Sequence, residues 1–282
     1  MEQSGFALSD DAFVRVRQRA HALAGIALSE PRRALVISRL TKLVKALGLT
    51  SFDAYLDHLD AGRCPAGNQD FVNALTTNLT RFYREEHHFT HLRAHVAALL
   101  ENQEAGGRRR LRIWSAGCST GQEPYTVAMD LLSALPELQR RDFRILATDI
   151  DTEVLARAAM GSYAESEVSG LPPERLHLFE RTSGGRYRVP AAARAAVIFK
   201  PLNLLGDWPM KGRFDAIFCR NVAIYFDRPT QARLFSRLGE VLAPGGMLYI
   251  GHSENLGPSG DGFRLAGTTT YVRSTPGKRE AA

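Results

Sequence analysis

A chain of 282 residues that is 44% hydrophobic and 23% charged can bury one large core and a smaller one, which excludes a disordered or fibrous class. No apolar run approaches the ~20 residues that span a bilayer, and the polar, acidic start MEQSGFALSDD does not resemble a signal peptide. The net charge of +6 is modest but uneven: Ala12 to Leu49 holds eight basic residues (Arg15, Arg17, Arg19, Arg32, Arg33, Arg39, Lys42, Lys45) against Glu30 alone, which suits an anionic partner.

The first 75 or so residues read as helices only. Ser9 can cap a helix with Phe13, Val16, Ala20 and Leu23 on one face. Ser29 can cap a second helix, with Pro31 in its first turn and Gly48 past its end. Ser51 can cap a third through Leu59, a turn follows from Gly62 to Asn68, and a fourth helix is expected over Asp70 to Leu79. After a loop at Asn102 to Arg110 the pattern alternates. Strands are expected at Leu111–Ser115, Phe143–Thr148, Phe214–Cys219 and Gly246–Gly251, with helices at Pro124–Leu135, Thr152–Met160 and Pro229–Leu242. Such alternation predicts an α/β architecture, a doubly wound, mostly parallel sheet covered on both faces. One stretch breaks it. Residues 161–200 read as an inserted antiparallel β-subdomain, with a short helix at Glu174–Phe179 and a hairpin turn at Ser183-Gly184-Gly185. Phe263 to Arg273 reads as a last strand, and a polar tail begins at Ser274. The organisation expected is a helical domain over 1–76 and a sheet domain over 77–282. Three scattered cysteines (Cys64, Cys118, Cys219), with no C-x-x-C pair, argue against a disulfide framework or zinc ribbon and for a reducing cytoplasm.

Chemistry concentrates at the strand ends. Gly117, Ser119 and Gly121 follow the first strand and open a helix, where small residues let a nucleotide approach the backbone. A structural turn would explain those glycines equally well. The second strand ends at Asp149, an acid placed to accept both hydroxyls of a ribose, while Asp151 suits a helix N-cap better. The first loop carries Glu123 and no lysine, which repels pyrophosphate but suits the ammonium of a methionine moiety. That choice favours S-adenosylmethionine over NAD or ATP.

Five strings appear in order: TTNLTRFYRE from Thr76, WSAGCSTGQEPY from Trp114, ATDID from Ala147, FCRNVAIYF from Phe218 and GHSEN from Gly251. Together they resemble the chemotaxis receptor methyltransferase (CheR) family over nearly the whole chain. The resemblance implies a Rossmann-like methyltransferase sheet with a small helical N-terminal domain. It also implies methylation of glutamate side chains on chemoreceptors, with S-adenosylhomocysteine as the other product. In the family the Asn-x-Thr-x-x-x-Arg segment, here Asn78, Thr80 and Arg84, contacts the cofactor, and Arg84 matches an active-site arginine. Gly117, Glu123 and Asp149 match cofactor contacts, Asn203 and Leu204 the segment beside the adenine, Arg220 and Asn221 the loop after the third strand, and Tyr225 a second catalytic residue. One position departs: Gln122 stands where many members have Glu.

The basic helices are expected to meet the receptor's cytoplasmic helices, with Arg32, Arg39 and Lys42 on one flank. The inserted hairpin resembles a subdomain that docks a receptor peptide by strand addition in some members. The turn between Arg181 and Arg186 is shorter than in those members, so docking is not expected here. His87, His91 and His95 have the i, i+4 spacing of a helical zinc site, but the family resemblance carries no metal, and none is expected. A nucleic-acid methyltransferase would call for an Asn/Asp-Pro-Pro-Tyr/Phe segment where this chain has Arg220-Asn-Val-Ala-Ile-Tyr. A non-catalytic sensor of the cofactor is disfavoured because the motif positions are filled. The expectation is a cytoplasmic, monomeric enzyme.

Overall fold

The computed structural model describes residues 6–64, 66–101, 110–260 and 262–274. The tail beyond Ser274 and most of the loop expected at 102–110 lie outside the described residues.

The N-terminal unit packs α1 (Asp10–Ala24), α2 (Arg33–Ala46), α3 (Phe52–Asp60) and α4 (Gly67–Leu75) around Phe13, Val16, Val36, Leu40, Phe52, Tyr55 and Phe71. Ser9 Oγ accepts the Ala12 N–H and Ser51 Oγ the Ala54 N–H, each at 3.1 Å, so both caps act as their side-chain chemistry dictates. Ser29 makes no such bond; it precedes a 3₁₀ turn, Glu30–Arg32, and α2 starts only at Arg33. The fourth helix ends at Leu75 rather than Leu79. The Arg39 guanidinium takes the carbonyls of Leu75 (3.0 Å) and Thr76 (2.5 Å), and Thr76 turns to an extended backbone. The cationic excess is also partly cancelled in space. Arg15 bonds Asp57 and Asp60 of α3 at 2.8 and 2.6 Å, and Arg33 bonds Glu30 and Asp10 at 2.6 and 2.7 Å.

Helix α5 (His87–Glu101) leads into the sheet domain. There β1 (Leu111–Ala116), α6 (Gln122–Ala134), β2 (Phe143–Asp149) and α7 (Thr152–Met160) follow in alternation. A small antiparallel sheet comes next: β3 (Ser162–Tyr163), β4 (Glu180–Arg181) and β5 (Tyr187–Arg188), in order β3-β5-β4, with α8 (Glu165–Val168) and α9 (Pro173–Leu176) between. The chain returns through α10 (Ala191–Ala196) to β6 (Val197–Pro201), then β7 (Phe214–Cys219), α11 (Arg228–Val241), β8 (Leu242–Ile250), β9 (Phe263–Gly267) and β10 (Thr270–Arg273). The large sheet runs β6-β2-β1-β7-β8-β10-β9.

Two expectations are corrected. Val197–Pro201 belongs to the large sheet, parallel to β2, so the small subdomain is confined to Ser162–Arg188 rather than reaching 200. The last segment is a hairpin rather than one strand, and its second arm, β10, inserts beside β8 while β9 takes the edge.

Every residue of β7 is buried, as a strand covered on both faces requires. Ala216 and Phe218 pack toward α5 and α6; Ile217 and Cys219 pack toward Leu234 and Leu238 of α11. The strand order reverses beside β1, with β2 on one side and β7 on the other, which opens a crevice at the carboxyl ends of these strands.

Candidate functional site

That crevice is a cavity of about 1040 Å³, part of it open to solvent. Asn78, Thr80, Arg84, Gly117, Glu123, Asp149, Asn203, Leu204, Arg220, Asn221 and Tyr225 all line it. They come from the α4–α5 connection, from the end of β2 and from the segments after β1, β6 and β7, so the fold gathers residues as far apart in sequence as Asn78 and Tyr225.

The loop after β1 is shaped by two crossings. The N–H groups of Gly117 and Cys118 both donate to Thr148 O, at 2.8 and 2.9 Å, which bends the chain across the end of β2. Gly117 sits at φ +85°, and a Cβ there would lie 2.3 Å from Val222 Cγ2. Glycine is required because the loops after β1 and β7 touch at this point. Ser119 continues the turn at φ +50°, and its N–H donates to Asp149 Oδ2 at 2.8 Å. Asp149 Oδ1 accepts the Asp151 N–H at 3.0 Å. Burial pushes the Asp149 carboxyl up, while the Asp151 and Ser119 amides pull it back. Each oxygen keeps acceptor capacity toward the cavity. Asp151 caps α7, accepting the Glu153 and Val154 N–H groups at 2.9 and 3.2 Å. Asp151 is thus the helix cap that its position predicts.

Asp151 also organises the α4–α5 connection. Its Oδ2 accepts from Thr76 Oγ1 at 2.6 Å and Asn78 Nδ2 at 2.7 Å. Asn78 is therefore tethered at the wall of the cavity. Thr80 is half-buried there. Arg84 bonds Leu79 O at 3.0 Å and keeps its side chain 32% exposed, so its guanidinium stays accessible from the mouth. Tyr83 and Glu85, on either side of it, both have positive φ, a tight reversal that swings Glu85 inward.

Beneath Arg84 lies a buried ionic row. Arg220, only 2% exposed, reaches Glu123 at 3.2 Å and Glu85 at 3.3 Å, and its guanidinium also donates to Arg84 O. Glu123, in the first turn of α6, accepts Ser115 Oγ at 2.7 Å. Burial pushes the Glu123 carboxyl up, against the opposing pull of Arg220 and the Ser115 hydroxyl. Glu85 also faces Arg84 at 3.9 Å, so Glu123 is the acid of this row that lines the cavity and is the one placed to meet an ammonium. Glu85 was not picked out from the sequence as a site residue; its place in the TTNLTRFYRE string, beside the arginine, was the available signal.

The N-terminal unit closes another wall. Ala24 and Ile26 line the cavity, and Asn203 Nδ2 donates to Leu23 O at 2.8 Å. The Ala27 N–H donates to Tyr225 O at 2.8 Å, and the Arg32 guanidinium lies 5.2 Å from the Tyr225 ring centre. This contribution had no signal in the sequence, because nothing local in Ala24 or Ile26 marks a binding wall.

The flank proposed for Arg32, Arg39 and Lys42 is divided. Arg32 sits in the 3₁₀ turn beside Tyr225, Arg39 is held by the end of α4, and Lys42 is exposed on α2. None of the three lines the cavity. The histidines of α5 serve packing. His88 is fully buried, bonded to Thr269 Oγ1 at 2.8 Å and pushed down to about 2, chiefly by burial. His91 pairs with the Tyr249 hydroxyl at 3.1 Å. Among the described residues no group of three or more His, Cys, Asp or Glu is placed to hold a metal ion. No described helix is long and apolar enough to cross a membrane.

The family model described as "CheR methyltransferase, SAM binding domain" matches residues 78–272, and that described as "CheR methyltransferase, all-alpha domain" matches residues 11–76. Among curated relatives, a probable chemotaxis protein methyltransferase of Rhizobium etli is 45% identical over 90% of this chain and 96% of its own length. Chemotaxis protein methyltransferase 2 of Pseudomonas aeruginosa is 44% identical over 94% of each chain. The chemotaxis protein methyltransferase of Escherichia coli is 43% identical over 95% of this chain and 92% of its own.

Proposed function

Because the chain belongs to the CheR methyltransferase family, we propose that its cavity holds S-adenosylmethionine while a glutamate of a chemoreceptor cytoplasmic helix enters past Arg84 and Tyr225. The protein is a protein-glutamate methyltransferase of chemoreceptors, dependent on S-adenosylmethionine. The observation that carries the site assignment is the convergence of Asp149, Glu123 and the glycine-lined turn at Gly117 on one cavity.

The residues present fit the cofactor. Asp149 has spare acceptor capacity for ribose hydroxyls. Glu123 answers an ammonium. Gly117 lets the ligand approach backbone, and Leu204 and Ile150 supply apolar walls for a base. Asn203 is bound to Leu23 O, so its contribution beside the base is to fix the chain around Leu204. Arg220 and Asn221 border the end nearest Glu123.

The cofactor's sulfonium supplies an activated methyl group and leaves as S-adenosylhomocysteine. A glutamate side chain titrates near ~4.3 and is already the nucleophilic carboxylate at neutral pH, so the chain needs no general base. Its task is alignment and exclusion of water. Arg84 orients the incoming carboxylate; a tight bidentate pair would lower its nucleophilicity, and the partly exposed guanidinium suits a loose hold. Tyr225, held through its carbonyl by the Ala27 N–H and lying beside the Arg32 guanidinium, lines the same cavity and is the second group offered to the acceptor. The enzyme is proposed to act as a cytoplasmic monomer. Lys42 and the outer face of α2 remain the candidate receptor contact.

The test is transfer of labelled methyl from S-adenosylmethionine to receptor preparations. The label should be released by mild alkali as expected of a carboxyl ester; label that survives alkali excludes an ester. Arg84→Ala should lose about 10–100-fold in kcat, the cost of a misaligned acceptor. Wild-type ester formation by that variant would remove Arg84 from the mechanism.

A further inference from the structure

The GHSEN string has so far found no role. Its acid, Glu254, is 7% exposed and accepts from backbone alone in two loops that follow neighbouring strands. Oε2 takes the Asn221 N–H at 2.9 Å and the Gly251 N–H at 2.6 Å; Oε1 takes the Val222 N–H at 2.9 Å and the Ile224 N–H at 3.3 Å. One carboxylate therefore satisfies four donors, three of them in the segment that carries Asn221 and Tyr225.

That segment cannot hold its shape alone. Asn221 is at φ +58°, a conformation a non-glycine residue adopts only at some cost. The Asn221 amide lies so close to Gly251 that a Cβ there would be 2.4 Å from Asn221 Nδ2. On its other side, Val222 fills the space that a Cβ on Gly117 would need. The carboxylate thus locks the loop after β7 against the loop after β8 and, through Val222, against the turn after β1. Acceptor oxygens are needed here, because buried N–H groups left without an acceptor are costly.

We propose that Glu254 is a positioning residue for methyl transfer. It holds the Asn221–Tyr225 loop so that Tyr225 meets the acceptor at the correct distance from the cofactor wall. The proposal rests on the site reading above for the role of Tyr225. Glu254→Gln keeps the size but replaces one acceptor oxygen with a donor amide, which faces two backbone N–H groups. The loop must shift to relieve this, while Asp149 and Leu204 stand on other segments of the cavity wall.

The experiment measures kcat, the Kd of S-adenosylhomocysteine and the melting temperature for Glu254→Gln, Tyr225→Phe and the double variant, with rates taken far below the melting temperature. The expected result is a fall in kcat of about 10²-fold for Glu254→Gln, with the Kd changed by less than about threefold. The double variant should be no slower than the slower single, because both act at one point. A folded Glu254→Gln enzyme with wild-type kcat, or losses that multiply in the double variant, overturns the proposal. If Glu254→Gln does not fold, Glu254→Asp takes its place, since it keeps a carboxylate but shortens its reach to the four N–H groups; the same outcomes decide. A wild-type rate for Tyr225→Phe removes Tyr225 from the site reading, and the Glu254 proposal then stands or falls on the Glu254→Gln rate and Kd alone.

Discussion

Replacing Asp149 with alanine is expected to weaken S-adenosylhomocysteine binding by about 10³-fold. Two charge-assisted hydrogen bonds from a ligand to one carboxylate are worth ~1.5–3 kcal/mol each, and ~4 kcal/mol together is three decades in Kd. The substitution also strips acceptors from the Ser119 and Asp151 N–H groups, which bond Asp149 at 2.8 and 3.0 Å, so the turn after β1 should loosen as well. Asp149→Asn keeps one acceptor and should fall between the two. Calorimetric titration of both variants, with melting curves to establish folding, checks this. A folded Asp149→Ala protein that binds within tenfold of wild type would assign the cofactor elsewhere. The pH dependence has a definite sign. Binding needs the carboxylate, and burial raises its pKa. Wild-type affinity should therefore begin to fall at a higher pH than an ordinary aspartate would cause as the solution is acidified.

The second large effect is on stability. Arg220→Met removes the cation from between Glu85 and Glu123, which leaves Glu123 with only the Ser115 hydroxyl and Glu85 with only the more distant Arg84 side chain, 3.9 Å away, as a cation. Breaking a buried ion pair from one side costs ~3–5 kcal/mol. Arg220 is also what restrains the rise of the Glu123 carboxyl, so in the variant burial should push it higher still. In the pH range between the ordinary carboxylate value and that raised one, the folded state binds more protons than the unfolded state. Stability must then decrease as pH rises through that range and recover as pH falls. Denaturant unfolding at pH 5 and pH 8 should show a variant deficit that is largest at pH 8. An Arg220→Met protein as stable as wild type at pH 8 would show that the ionic row does not hold the site together.

The sequence alone settled whatever depends on local period and chain order. The strands at Leu111, Phe143 and Phe214 are short, mostly apolar runs with a charged residue second in each, because strands covered on both faces show little polar side. Asp149 and Asp151 could be told apart because one ends a strand and the other stands where a helix needs a cap. Gly117 and Asp149 were legible for a related reason: in a doubly wound sheet, position at a strand's carboxyl end is already position in the site; Asn78, Thr80, Arg84, Asn203, Leu204 and Tyr225 were named only through the family resemblance. Tertiary structure decided the partners. Val197–Pro201 joins β2 rather than the insertion, and the last segment folds into a hairpin, because strand pairing is a long-range choice that the period of a segment does not encode. Arg39 looks like a free surface charge until the end of α4 comes to meet it, and nothing in the sequence shows that Glu85 and Glu123 close around Arg220. Charge is a property of a residue, but its pairing and desolvation are properties of the packed chain.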